Sequence, residues 1–263
     1  MKVSHEVPMK MLDQSREFND YEYALVHLFE TNKQYYNFYK ESSNQGRHVI
    51  LDNSVFELEE AFDADEFAKW IIKLRPTEYI IPDVLNDSRA TIDNIDNWLS
   101  KYDYLPGKKI GVIQASSLIE FIQTYKVIVD RVDKIAISFD SIFYENLFTE
   151  SMFGTKFHTW MYGRIYAINQ LIKYHEWAWD KPHHLLGCSL PQEFTAYKNV
   201  HNIQTIDTSN PVVHGILDIN YKNSGLDSKE SIKLIELINS DISERQQVTI
   251  MNNINKFRAL CAG

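Results

Sequence analysis

Six short apolar runs, each closing on a polar or acidic residue, constrain this chain more than any other feature. They are His48-Val49-Ile50-Leu51-Asp52-Asn53, Tyr79-Ile80-Ile81-Pro82-Asp83-Val84, Ile110-Gly111-Val112-Ile113-Gln114, Ile135-Ala136-Ile137-Ser138-Phe139-Asp140, His184-Leu185-Leu186-Gly187-Cys188-Ser189 and Ile203-Gln204-Thr205-Ile206-Asp207-Thr208-Ser209. A short, nearly continuous apolar run suits a strand buried on both faces, as in a parallel sheet. Parallel strands that close into a barrel bring their C-terminal ends to one mouth, where polar residues usually serve chemistry. At 263 residues the chain has the length of one (β/α)8 barrel.

Helical patterns alternate with these runs. Asp63 to Leu74 predicts an amphipathic helix with Phe67, Trp70, Ile71 and Leu74 on one face; Asp63 and Glu66 have capping-box spacing, and Pro76 follows. Further helices are expected over Ser88–Lys101, Leu118–Val129, Trp160–Trp177 and Pro191–Asn199, with Pro191 in a first turn. Ser141–Lys156 is irregular and reads as a long loop or lid. Upstream, Tyr21–Leu28 supplies a strand and Asn32–Lys40 a helix. Two helices are expected in the tail, near Ser228–Ser240 and Glu244–Leu260. Seven strands are thus expected, with Val212–Ile216 as a candidate eighth. The expected architecture is an α/β, single-domain (β/α)8 TIM barrel over residues 1–263, complete or slightly degenerate, with C-terminal helices over about 228–260.

Composition removes several function classes. The two cysteines, Cys188 and Cys261, have no CxxC neighbour, which argues against a disulfide scaffold or a cysteine zinc site and fits a reducing cytoplasm. The start, Met1-Lys2-Val3-Ser4-His5-Glu6, lacks the apolar core of a signal peptide, and no run is long enough to span a membrane. A net charge of −9 lowers the expectation of a nucleic-acid partner without removing it. Lys108, Lys109, Arg131, Lys134, Lys156, Arg164 and Lys173 are candidates for a local basic face; the plainer reading is solvated helix surface. No GxSxG elbow, P-loop, GxGxxG, HxH or HExxH is present. His183-His184 is read as preceding a strand and as structural.

Asp52, Asp83, Gln114, Asp140 and Asp207 are expected to face one another across the mouth. Carboxylates sharing a site split their pKa values, giving one group that stays ionised and another that trades protons. Such a set suits two-carboxylate chemistry at a sugar carbon, a hard-metal site or a polar socket for a heterocycle. Any one of these aspartates alone also fits a helix N-cap or a turn.

In order and spacing, the motifs over roughly residues 48–216 resemble the queuine and archaeosine tRNA-guanine transglycosylases. They look closest to the short phage and bacterial relatives that place 7-deazaguanines in DNA. The family's Asp-Ser-Gly-Gly-(Phe/Tyr)-Gln is matched by Asp52-Asn53-Ser54-Val55-Phe56-Glu57, and its base-pairing aspartate by Asp83 in Ile81-Pro82-Asp83. Its Val-Gln-Gly strand end is matched by Val112-Ile113-Gln114-Ala115. Leu185-Leu186-Gly187-Cys188-Ser189-Leu190-Pro191-Gln192-Glu193 echoes a Leu-Met-Gly-Val-Gly strand followed by a Pro-Glu-Asp helix start. Ile206-Asp207-Thr208-Ser209-Asn210-Pro211 echoes the nucleophile motif Phe-Asp-Cys-Val-x-Pro. Four departures stand out. Ser54 and Val55 replace the glycine pair, and Ser138-Phe139-Asp140 stands where a Gly-Gly-Leu offers backbone groups to the base. Val212-Val213-His214-Gly215 lacks the arginines that follow the nucleophile, and the Cys-x-Cys-x2-Cys…His zinc module is absent. That last departure turns the expected substrate from tRNA toward DNA.

The resemblance implies a base exchange through a covalent glycosyl intermediate, with Asp207 as nucleophile and Asp52 as general acid/base. Phe56 would stack on the heterocycle. Asp83 would accept from N1–H and the exocyclic amine of a guanine-like edge, and Gln114 would address the O6 side. Asp140, Gly187 and Cys188 would complete the base pocket. Trp160, Tyr162, Arg164 and Tyr166 are candidates for holding a flipped-out strand, or a helix face packed on the barrel. No cofactor and no metal is expected. The expected partners are a nucleic acid, DNA ahead of tRNA, and a 7-deazaguanine base, with no membrane; a homodimer stands among the expected assemblies. The expected location is the cytoplasm, the host's if phage-encoded. Three rivals remain: a base-releasing N-glycosidase on the same fold, a metal- or phosphate-dependent barrel lyase or aldolase, and a non-catalytic binding subunit of a base-modification complex. The lyase or aldolase would want a strand-end lysine or a late glycine-rich phosphate loop, and neither is found.

Overall fold

A computed structural model describes residues 1–148 and 150–262. Its described residues hold eight parallel strands: β1 (Lys2–His5), β2 (Glu22–Leu25), β3 (Val49–Asp52), β4 (Glu78–Ile80), β5 (Lys108–Val112), β6 (Lys134–Ser138), β7 (His183–Leu186) and β8 (Ile203–Thr208). They hydrogen-bond in the order β1-β8-β7-β6-β5-β4-β3-β2, which is a (β/α)8 barrel open at one seam. The apolar runs dictate this: β2, β3 and β4 are buried at every position, so both faces need cover.

The seam between β1 and β2 is closed by side chains and one backbone bond. Asn19 Oδ1 accepts from His5 N at 2.7 Å, and its Nδ2 donates to His5 O at 3.0 Å. Asp20 Oδ2 accepts from Val3 N at 2.8 Å, while Asp20 N donates to Val3 O at 3.0 Å. Residues just ahead of β2 thus satisfy the free edge of β1, which would otherwise be a buried row of unpaired polar groups.

Several boundaries differ from the sequence expectation. The eighth strand is Lys2–His5, not Val212–Ile216, which lies in a helix spanning Asn210–Ile216 with Pro211 in its first turn. His183 and His184 lie inside β7 and are fully buried. Ser228–Ser240 forms no α-helix; only Leu234–Leu237 turns as a 3-10 helix, and the rest is an extended strap. Pro191–Tyr197 is likewise 3-10. Ser141–Lys156 contains short helices at Ile142–Leu147 and Glu150–Phe153; Thr149 lies outside the described residues. The expected capping at Asp63 is made, its side chain accepting from Glu66 N.

Arg164, on the helix Lys156–Lys173, does not hold a strand of nucleic acid; it is fully buried. Its guanidinium grips Glu193 through two bonds, at 2.6 and 3.0 Å, and donates to the carbonyls of Ile137, Leu186 and Gly187. Removing one partner of a buried pair strands the other charge, at a cost of about 3–5 kcal/mol. Glu193→Ala is therefore expected to lower the urea-unfolding free energy by about that amount. The double variant Arg164→Met, Glu193→Leu should recover much of it.

Candidate active site

All eight residues singled out from the sequence line one cavity of about 330 Å3 at the C-terminal mouth of the barrel. Asp52 closes β3 and Asp207 lies near the end of β8. Asp83, Gln114 and Asp140 follow β4, β5 and β6, and Gly187-Cys188 follow β7. Phe56 reaches the cavity because Ser54 adopts a left-handed backbone (φ 62°) that turns β3 into the one-turn helix Val55–Leu58.

On the β3–β5 side, the polar groups satisfy one another. Asp83 is 1% exposed; its two oxygens accept from Asn53 Nδ2 at 2.7 Å and Gln114 Nε2 at 2.6 Å. Gln114 Oε1 in turn accepts from Asn86 N at 2.9 Å, which fixes the amide orientation. Each carboxylate oxygen of Asp83 retains an accepting position, so the group is built to take further donors along one edge.

Asp207 is held by groups of β7. His184 Nε2 lies 3.0 Å from Asp207 Oδ1, and Gly187 N donates to the same oxygen at 3.3 Å. With Nε2–H directed at Asp207, His184 Nδ1 is free to accept from the Thr205 hydroxyl, 2.9 Å away. Oδ2 of Asp207 has no donor among the described residues, and the side chain lines the cavity. The His184 ring stacks on Tyr23 at 5.7 Å, and the Tyr23 hydroxyl donates to Asp52 Oδ2. Tyr23 thus bridges the space between Asp52, by its hydroxyl, and His184, by its ring.

The outer wall is aromatic. Phe56 meets Phe139 edge-on at 5.8 Å, and Phe139 meets Trp160 in the same way. The strap covers this wall with two cations: Lys233 over Phe56 at 4.6 Å and Lys229 over Phe139 at 4.3 Å. Lys233 also donates to Phe56 O, and Lys229 to Cys188 O. One face of the Phe56 ring is thus covered by Lys233. Asp140 accepts from Ser138 Oγ at 2.8 Å.

No family model and no curated protein matches this chain.

The candidate basic face is mostly spent on ion pairs. Lys134 is buried against Glu78, Arg164 against Glu193, Lys109 pairs with Asp103 and Arg131 with Asp96. Lys156 remains exposed and borders the cavity. Among the described residues no group of three His, Cys, Asp or Glu is placed to hold a metal ion, and no helix is long and apolar enough to cross a membrane.

Burial dominates the electrostatics. It pushes the carboxyls of Asp52, Asp83 and Asp140 above the usual range, and the Cys188 thiol upward, so Cys188 is no thiolate. Burial, with Asp207 and Asp140 nearby, raises Glu57 to about 7. Sequence reasoning missed Glu6, Tyr23, Glu57, His184, Lys229 and Lys233, all at or beside this site. Glu57 sits in a matched motif and was open to notice; the others become visible only through strand register and the strap's path.

Two outcomes follow from this geometry. The unfolded Glu57 releases its proton near 4.5 and the folded one near 7, so the native state binds more protons between them and loses stability as pH rises through that window. Melting curves of Glu57→Gln and wild type should coincide below pH 4.5 and separate up to about pH 7, the variant then staying higher. At Gly187 (φ 62°) an added Cβ would lie 2.4 Å from Phe139 Cδ1. Gly187→Ala should cost about 1–2 kcal/mol in urea unfolding from the left-handed backbone alone, and more from the clash.

Proposed function

We propose that this chain exchanges a purine base in a nucleic acid, replacing guanine with a 7-deazaguanine through a covalent aspartyl-glycosyl intermediate. The observation that carries this reading is the division of labour within one cavity. Asp207 presents a free Oδ2 on one side, while the Asn53–Asp83–Gln114 cluster presents a fixed polar edge on the other. A carboxylate with one oxygen pinned and one free is suited to attack C1′ from a fixed direction, splitting one difficult displacement into two. A guanine-like edge has the donors that Asp83 lacks and the acceptor that an amide such as Gln114 can serve.

A second support comes from the backbone. Ser54 stands where the transglycosylase motif has its first glycine, and it adopts the left-handed conformation that glycine favours. A left-handed backbone at this position supports the reading, because it is what a glycine there would serve. The strap lysines add positive charge to the rim of an otherwise acidic cavity, which suits a phosphate-bearing substrate. The target nucleotide must leave its stack to enter, so single-stranded or flipped-out DNA is the favoured substrate, with Lys156 and Trp160 at the entrance.

Within this reading His184 and Gly187 orient Asp207 and stabilise the carboxylate that must attack. Proton transfer to the departing base and from the incoming one falls to a second cavity carboxyl, for which the family resemblance assigns Asp52.

Incubation with a guanine-containing single-stranded oligonucleotide should give a denaturation-resistant protein–DNA adduct with wild type and none with Asp207→Ala. Base exchange should be abolished in the same variant while its melting curve keeps a single cooperative transition. Full exchange by Asp207→Ala would sink the nucleophile assignment. Free guanine released without any added deazapurine would replace exchange by hydrolysis on the same site.

A further inference from the structure

A departing purine needs a proton on its ring, because the heterocycle anion leaves poorly. Local geometry disfavours Asp52 as the donor. Its Oδ1 accepts from Ser54 N, which can only donate, and its Oδ2 accepts from the Tyr23 hydroxyl. Both donors favour the ionised form of Asp52 and oppose the burial that raises its carboxyl.

Glu6 is placed differently. Ser4 of β1 pairs with Asp207 of β8, and Glu6 N donates to Thr208 O at 3.1 Å. Side chains two apart on a strand share a face, so Glu6 points to the same side as Asp207, one pleat nearer the mouth. It lines the cavity, and among the described residues no donor reaches its carboxyl group. The charged groups facing it are Asp207 from β8, Glu57 from the short helix, Asp52 from β3 and Lys229 from the strap. Burial and three carboxylates outweigh one ammonium and hold Glu6 well above the usual carboxyl range. With no donor to favour its ionised form, the Glu6 carboxyl is biased toward keeping a proton that it can give to whatever occupies the cavity.

We propose that Glu6 is the general acid of the base exchange, and that Asp52 is a positioning residue acting on Asp207 through Tyr23 and His184. The assignment rests on the base-exchange reading above. As the C1′–N9 bond breaks, its electron pair goes to the purine, which takes the Glu6 proton on a ring nitrogen. Asp207 Oδ2 forms the new bond to C1′. The Glu6 carboxylate then removes the ring N–H proton of the incoming base, whose nitrogen attacks C1′ and frees Asp207. Glu6 ends protonated as it began.

The test compares two single-stranded oligonucleotides, one carrying guanine and one carrying N7-methylguanine at the same position. The methylated base is already cationic and departs as a neutral molecule, so it needs no acid. Single-turnover release is measured from pH 5 to 9 for wild type, Glu6→Gln and Asp52→Asn, with melting curves to check folding. Glu6→Gln should release guanine about 10²-fold more slowly or worse, lose the pH-dependent fall of the wild-type rate, and release N7-methylguanine at the wild-type rate. Asp52→Asn should slow both substrates alike. Equal slowing of both by Glu6→Gln would overturn the assignment, as would selective rescue of Asp52→Asn by the methylated base. Wild type inert on both oligonucleotides would overturn the base-exchange reading and this assignment with it.

Discussion

One guanidinium organises the half of the barrel mouth formed by β6 and β7. Arg164 reaches in from the helix Lys156–Lys173, pairs with Glu193 and ties down the carbonyls of Ile137, Leu186 and Gly187. The last contact matters most, because Gly187 turns its N–H toward Asp207. A buried ion pair is weak evidence for stability, since its desolvation offsets its attraction. Its value here is geometric: the carbonyls of Ile137, Leu186 and Gly187 share one rigid partner, and the loop after β7 inherits that rigidity.

The cavity above this frame is an electrostatic compromise. Glu6, Asp52, Glu57, Asp83, Asp140 and Asp207 all border it. So many carboxyls in a space withdrawn from water cannot all ionise, and the proton inventory is set by which of them have donors. Asp83 has two and Asp207 has two, whereas Glu6 has none among the described residues. Lys229 and Lys233 from the strap relieve part of the excess negative charge while resting on Phe139 and Phe56. The strap thus closes the cavity and balances it at once.

Much of this was legible in the chain. Seven strands announced themselves because each is apolar on both faces, and the strand-end residues came with them. The eighth did not, since Lys2-Val3-Ser4-His5 buries polar side chains, Ser4 and His5 at 1% exposure, and hydrophobicity is silent about them. Val212–Ile216 misled for the opposite reason. A five-residue apolar run satisfies a buried strand and a buried helix equally, and Asn210-Pro211 at its start decides for the helix. Ile232, Leu234, Ile235 and Ile238 mimic a helical stripe, yet they border the cavity from the strap. His184 was unreadable in principle: nothing local distinguishes a core histidine from one whose ring reaches Asp207 on the next strand.

The side-chain seam at Asn19 and Asp20 has a consequence for how the molecule comes into being. The only strand that pairs with β1 is β8, residues 2–5 against 205–208. Contacts so distant in sequence form late, because the entropy of closing the intervening chain must be met first. Until they form, β8 lacks a neighbour, Glu6 has no place above Asp207 and the ring of staves is unhooped. A partly folded chain can assemble the Asp83 cluster from neighbouring segments, but β1 must meet β8 before Glu6 and Asp207 share one cavity. The full acidic lining of the cavity is in this way deferred to the completed fold.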